Sequence, residues 1–270
     1  MESILVQAKK LIQILKARED IIDLSEIKFA QPIITLPLAA LVSEKGLKFT
    51  KPADDKCLGY LKYFNFPNGF SEFSKLSSKY IPIYKFTASK KDEKSLIDKS
   101  EIIENLIKIC AQKIGSPKGV INALSIAIEE IIDNIEEHSG AKYGWINAQY
   151  YPTKEYLDVC ILDLGITLLN NYKKHGMGIS DDSEALKNAL EGLSTKQLET
   201  VRGSGLRTFT NMIRDGFGGE MVIVSGQAIA YANNKEAPLV QKLSIDWPGT
   251  IVAIRIPQRS KSIDYTLYIE

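Results

Sequence analysis

Sulfur and histidine are scarce in this sequence. Its 270 residues include three cysteines, Cys57, Cys110 and Cys160, and two histidines, His138 and His175. The cysteines are far apart and form no Cys-x-x-Cys pair, which argues against a disulfide framework and against a zinc knuckle. Two histidines are too few for a histidine-based metal site. Charge of one sign is not in excess either: 34 Lys+Arg against 33 Asp+Glu leave a net charge of +1. That balance supplies neither an electrostatic footprint for nucleic acid nor a polybasic membrane anchor. No apolar run approaches the ~20 residues needed to span a bilayer. The first sixteen residues carry Lys9 and Lys10 within their apolar pattern, lack a small-residue cleavage site, and do not read as a signal peptide. Internal repeats and low-complexity tracts are lacking as well. What remains is the composition of a globular protein, 44% hydrophobic and 25% charged. The expected location is cytoplasmic, with no membrane association.

Hydrophobic periodicity predicts a helix over residues 3–18, a short strand at 21–24, a helix from 31 to about 44 containing Pro37, and a strand at 47–50. A helix at 55–64 and a strand at 81–86 follow. This alternation predicts a small α/β domain over residues 1–90, ended by the polar stretch Ala88 to Glu93. Beyond it, two long helices are expected at 95–114 and 117–138, separated by Gly115-Ser116-Pro117. Strands at 143–151 and 156–162, a long polar connection at 166–202 with a helix at 182–191, and a helix at 206–214 come next. Strands at 219–225, 227–232 and 249–256 complete the order. The expected class is α/β, an α+β sandwich in which one mixed sheet carries helices on one face.

Three features carry chemistry. On the 117–138 helix, Ile121, Leu124, Ile128, Ile131 and Ile135 form the buried stripe. Glu130, Asn134 and His138 recur at every fourth position and project from one line beside it. An Asn carbonyl oxygen there can ligate a hard cation, and a Glu one turn away can activate a nucleophile; a solvated acidic helix face would look the same. Asp163-Leu-Gly165-Ile-Thr167 follows the strand Val159 to Leu162 directly, so a carboxylate stands at a strand end beside a residue that permits close backbone approach. A plain Asp-x-Gly turn has the same spelling. Arg202-Gly203-Ser204-Gly205-Leu206-Arg207 is a glycine-rich turn entering a helix, where free N–H groups favour an anion. It fits neither a P-loop nor a dinucleotide-binding fingerprint.

In that order and context, residues ~95–257 resemble the GHKL ATPase superfamily of DNA gyrase, heat-shock chaperones, histidine kinases and mismatch-repair MutL. Glu130 to His138 is similar to its N-box, Asp163 to Thr167 to its first glycine box, Gly203-Ser-Gly205-Leu206 to its second, and Gly249-Thr250 to its late Gly-Thr strand. The resemblance implies a Bergerat-type mixed sheet covered by helices, ATP and Mg²⁺ as cofactors, and 166–202 as the ATP lid. It implies that Asn134 coordinates the Mg²⁺ bridging the phosphates and that Glu130 activates the attacking group. It further implies that Asp163 binds the adenine amine, Gly165 lines the adenine pocket and Thr250 supports both. Gly203, Ser204, Gly205 and Leu206 would cradle phosphates, and His138 would stand near them. Lys142, Arg202 and Arg207 are weaker phosphate candidates. Thr167 departs from the pattern, since the family's glycine box usually ends there in a second Gly, a difference that bears on turnover more than on binding.

Both histidines fall inside the ATPase-like region, which argues against a two-component sensor kinase. The short format is similar to the anti-sigma serine kinases. Ile21 to Phe29 with Leu36 to Leu41 resembles the core of STAS domains, but the phosphoacceptor loop reads Ala30-Gln31-Pro32-Ile33, without a hydroxyl. The expected function is a Mg²⁺-dependent ATP-binding regulator, a slow ATPase or a serine/threonine protein kinase, acting on a protein partner. The alternative is a nucleotide-gated interaction module that holds ATP without splitting it. Homodimerisation is compatible with the 3–18 helix as an interface.

Overall fold

The computed structural model describes residues 2–17, 21–73, 79–89, 92–115, 117–195, 205–258 and 261–268. The chain begins with helix α1 (Ile4–Lys16), capped by the Ser3 hydroxyl, which accepts from the Val6 N–H. A small parallel pair follows: β1 (Ile21–Ile22) and β2 (Lys48–Phe49), joined through helix α2 (Pro32–Lys45). Every residue from Pro32 to Val42 is buried, so α2 is apolar all round and shows no amphipathic stripe. It packs beside α1 on the main sheet, and Pro37 is accommodated within it. Helix α3 (Asp55–Tyr63) is capped by Asp54.

The main sheet has five strands in the order β3-β4-β5-β7-β6, built from β3 (Tyr80–Thr87), β4 (Tyr143–Tyr151), β5 (Tyr156–Asp163), β6 (Glu220–Asn233) and β7 (Leu239–Pro257). Each pairing in it is antiparallel. The expected mixed sheet is therefore antiparallel in its five strands; among the described residues, parallel pairing joins β1 to β2 and, in a single bridge, Phe70 to Tyr84.

Side chains alternate across this sheet with the period-2 rule of a pleated strand. Leu157, Val159 and Ile161 face one way, into a core shared with helices α4 (Glu93–Ile109) and α5 (Val120–Asn134). Cys160 and Leu162 face the other way, into a core shared with α1, α2 and α3. Both faces are thus covered, which corrects the expectation of helices on one face. The physical reason is legible in the strands: Val159 to Leu162 is apolar at every position, as a strand buried on both sides must be. The division near residue 90 is corrected with it. β3, placed by sequence in a separate first domain, is an edge strand of the main sheet, paired through Tyr80↔Gln149 to Thr87↔Tyr143. The core residues of α1 to α3 pack on that same sheet.

A buried polar cluster fastens α1 to it. Arg255 donates from Nε and Nη2 to the two carboxylate oxygens of Asp158, at 2.7 and 2.8 Å. Its Nη1 reaches the Glu2 carbonyl at 2.6 Å, and its guanidinium lies 3.9 Å from the Tyr156 ring centroid. Glu220 accepts from the Ile4 N–H at 3.0 Å.

The segments read as strands 219–225 and 227–232 form one 14-residue strand, bent at Gly226, where φ is +57° and the pairing register with β7 shifts. Its partner β7 runs 19 residues, starting well before the expected strand at 249–256. No helix among the described residues is long and apolar enough to cross a membrane.

Candidate functional site

The site starts at the C-terminal end of α5. The helix does not stop at Asn134 but widens into a π-helical turn over Ile135–Ser139. Gly140, at φ +63°, then ends it. The wider turn leaves the Ser139 carbonyl available, and it accepts the Ile166 N–H at 2.8 Å. The loop after β5 is thereby drawn against the end of α5. The approach is so close that a Cβ on Gly165 would overlap the Ser139 carbonyl oxygen. Glycine is required at 165 for that reason, and the strand-end Asp-Leu-Gly is more than a generic turn.

Asp163 is the last residue of β5 and is 2% exposed. Its Oδ1 accepts the Gly165 N–H at 2.8 Å, and the Thr250 backbone N–H also donates to it. Burial pushes its carboxyl up to about 7, because desolvation outweighs the two N–H donors. Gly249 covers it from the opposite strand with φ +80°. A Cβ there would overlap Asp163 Oδ1 and stand 2.5 Å from the Asp163 carbonyl oxygen and 2.8 Å from the Gly165 nitrogen. One buried acceptor is thus held in a nest of backbone that only two glycines allow.

Beside it is a cavity of about 100 Å³. Asn134 and His138 line it from the end of α5, Asp163 and Thr250 from the sheet, Thr167 from the loop, and Gly205 and Leu206 from the start of helix α8 (Leu206–Asn211). Residues from four separate stretches of sequence therefore meet at one place. Ile131, Ile161, Ile166 and Val252 supply apolar wall. Glu130 is not among the lining residues; its Oε1 lies 3.3 Å from the Cβ position of Gly205, so it stands at the edge of the cavity beside α8. His138 Nε2 is 3.4 Å from Glu137 Oε2. Gly203, Ser204 and Arg202 lie outside the described residues. Lys142 is directed over the Tyr143 ring, 5.1 Å from its centroid, and Arg207 packs on Gly192; neither lines the cavity.

No family model and no curated protein aligns significantly with the chain.

The connection at 166–202 is described to residue 195 and holds two helices, the expected α7 (Asp182–Glu191) and an unexpected α6 (Leu168–Lys174). Thr167 explains α6. Its backbone is ordinary (φ −72°, ψ 164°), and its hydroxyl caps the helix by accepting the Asn170 N–H at 3.2 Å. A residue that the family pattern marks as anomalous is an N-cap here. Sequence reasoning missed the wall that this helix supplies, namely Leu168, Asn171 and Tyr172, although their i, i+3, i+4 spacing was a usable signal. Tyr172 donates its hydroxyl to the Leu193 carbonyl at 2.6 Å, and burial pushes its phenol up to about 12.

Chemically, the arrangement offers a mostly apolar slot with one buried carboxyl acceptor at its floor. That suits a flat heterocycle bearing an N–H donor. The amide of Asn134 and the ring of His138 also line it. Among the described residues there is no group of three or more His, Cys, Asp or Glu able to hold a metal ion.

Proposed function

We propose that the chain is a Mg²⁺-dependent ATP-binding regulatory protein of the GHKL type, working as a slow ATPase or as a serine/threonine protein kinase-like regulator of a protein partner. The observation that carries this reading is the Asp163 nest. A buried carboxylate closed in by Gly165 and Gly249 shares one cavity with Asn134 and Thr250, each from a different motif of the resemblance. The residues present fit the nucleotide. Asp163 would accept the exocyclic amine, and the two glycines let the surrounding backbone close around its carboxyl group. Asn134 would supply a side-chain oxygen to Mg²⁺, which commonly keeps several waters and takes few protein ligands beside substrate phosphates. The bound ATP supplies a transferable phosphoryl group. Glu130, beside Gly205, would orient or deprotonate the acceptor hydroxyl or water.

A role in holding ATP without splitting it is favoured by one observation: Glu130 lies at the cavity edge and not on its lining.

Titration calorimetry with Mg²⁺-ATP, together with phosphate-release and phosphotransfer assays, tests both readings. The wild type is expected to bind, Asn134→Ala to lose the Mg²⁺-dependent part of the affinity, and Glu130→Gln to bind but not turn over. Unchanged Mg²⁺-ATP affinity in Asn134→Ala would sink the assignment. Binding without any Glu130-dependent turnover would establish the holding role.

A further inference from the structure

The bend of β6 does more than interrupt its pairing. Ser225, 1% exposed and opposite Thr250 in the ladder, has three partners for one hydroxyl. It accepts the N–H of Leu168, the first residue of α6, at 3.0 Å. It donates to the Gly249 carbonyl at 3.1 Å, and the Thr250 hydroxyl is 3.3 Å away. Two residues on, the Gln227 N–H donates to the carboxylate of Asp182, the first residue of α7, at 3.0 Å. Between them Gly226 has no room for a Cβ, which would overlap that carboxylate. Three consecutive residues of the sheet thus fasten both helices of the 166–195 segment.

A serine hydroxyl has one proton and can accept two hydrogen bonds. With the cavity empty, Ser225 can give its proton to the Gly249 carbonyl. A ligand that accepts the Thr250 hydroxyl proton leaves a Thr250 lone pair facing Ser225. The bonds can then run in one direction, from the Leu168 N–H through Ser225 and Thr250 to the ligand, and hydrogen bonds aligned in that way strengthen one another.

We infer that Ser225 is a positioning residue that couples occupancy of Thr250, at the base end of the cavity, to the first turn of α6, which forms another wall. This rests on the nucleotide reading of the site and adds to it the route by which the base orders that wall. Neither the motifs nor the spacing of the sequence marks Ser225.

A double-mutant cycle on Mg²⁺-ADP affinity, using Ser225→Ala, Thr250→Val and the pair, tests the coupling. Ser225→Ala should weaken binding about tenfold in the wild-type background and less than about twofold beside Thr250→Val, the sign of interacting residues. Amide exchange at Leu168 in the wild-type chain should slow on saturation with Mg²⁺-ADP. A purely structural Ser225 would weaken binding by the same factor in both backgrounds, and that result overturns the inference alone. So does an unchanged Leu168 exchange rate on binding, which needs no variant and serves if Ser225→Ala does not fold. Absence of Mg²⁺-ADP binding by the wild type overturns the nucleotide reading and the coupling with it.

Discussion

Replacing Gly249 with alanine probes the Asp163 nest at its tightest point. Two costs follow from the geometry. The residue sits at φ +80°, a left-handed conformation that costs an L-residue about 1–2 kcal/mol. The new methyl would also overlap Asp163 Oδ1 and press on backbone at 2.5 and 2.8 Å, so the carboxyl group must move off its two N–H donors. A buried polar group stripped of partners costs a further ~1–3 kcal/mol. The total is about 3 kcal/mol, and at roughly 2–4 °C per kcal/mol for a chain of this size, Tm should fall by about 6–12 °C. Gly46→Ala is the matched control. Gly46 has φ +66° but nothing within 4 Å of its Cβ position, so it should lose only the conformational part, about 1–2 kcal/mol. Differential scanning fluorimetry with and without Mg²⁺-ATP reads both effects: Gly249→Ala should lose stability and its ligand response, and Gly46→Ala should keep the response. Equal Tm losses in the two variants, with an undiminished ligand response in Gly249→Ala, would refute the nest as the recognition element.

Titration of Asp163 gives a second expectation. Burial raises its carboxyl to about 7 against the opposing Gly165 and Thr250 N–H groups, and the Glu44 carboxylate adds a small upward push. Because the folded value lies above the unfolded one, this group's contribution to stability is full below about pH 4 and is lost as pH rises through about 7. Ligand affinity should move the other way, rising with pH up to about 7 as the acceptor ionises. Calorimetry across this range should show a dependence that Asp163→Asn flattens; an identical slope in that variant assigns it to another group. The Arg255–Asp158 pair gives a third. Arg255→Met strands a carboxylate that burial already raises to about 6, and should cost about 3–5 kcal/mol in urea denaturation, whereas Arg255→Met with Asp158→Leu should recover most of that loss. A single variant no less stable than the double would remove this cluster from the account of how α1 is held.

Much of the site was legible because its chemistry follows helix and strand periods. Glu130, Asn134 and His138 announce themselves by i, i+4 spacing, and Asp163 by standing at the end of an apolar strand before a glycine. The rest was hidden for definite reasons. The coverage of the second sheet face was obscured because α2 is apolar on every side and names no partner. β3 was assigned to a separate domain because pairing across more than fifty residues leaves no local trace. Helix α6 is hidden in a long polar, glycine-containing stretch, and its cap, Thr167, stands where the family pattern has a glycine. Ser225 carries no pattern at all, being one hydroxyl in a strand whose importance comes from what two other elements, α6 and β7, bring to it.

The most direct test of the nucleotide assignment is the thermal shift produced by Mg²⁺-ATP in the wild type and in Asp163→Asn. A ligand at a hundred times its dissociation constant stabilises the folded state by about 2.7 kcal/mol through mass action alone. The account predicts a clear rise in Tm for the wild type and a much smaller one for Asp163→Asn. Equal shifts in both proteins, or no shift in the wild type, would contradict it.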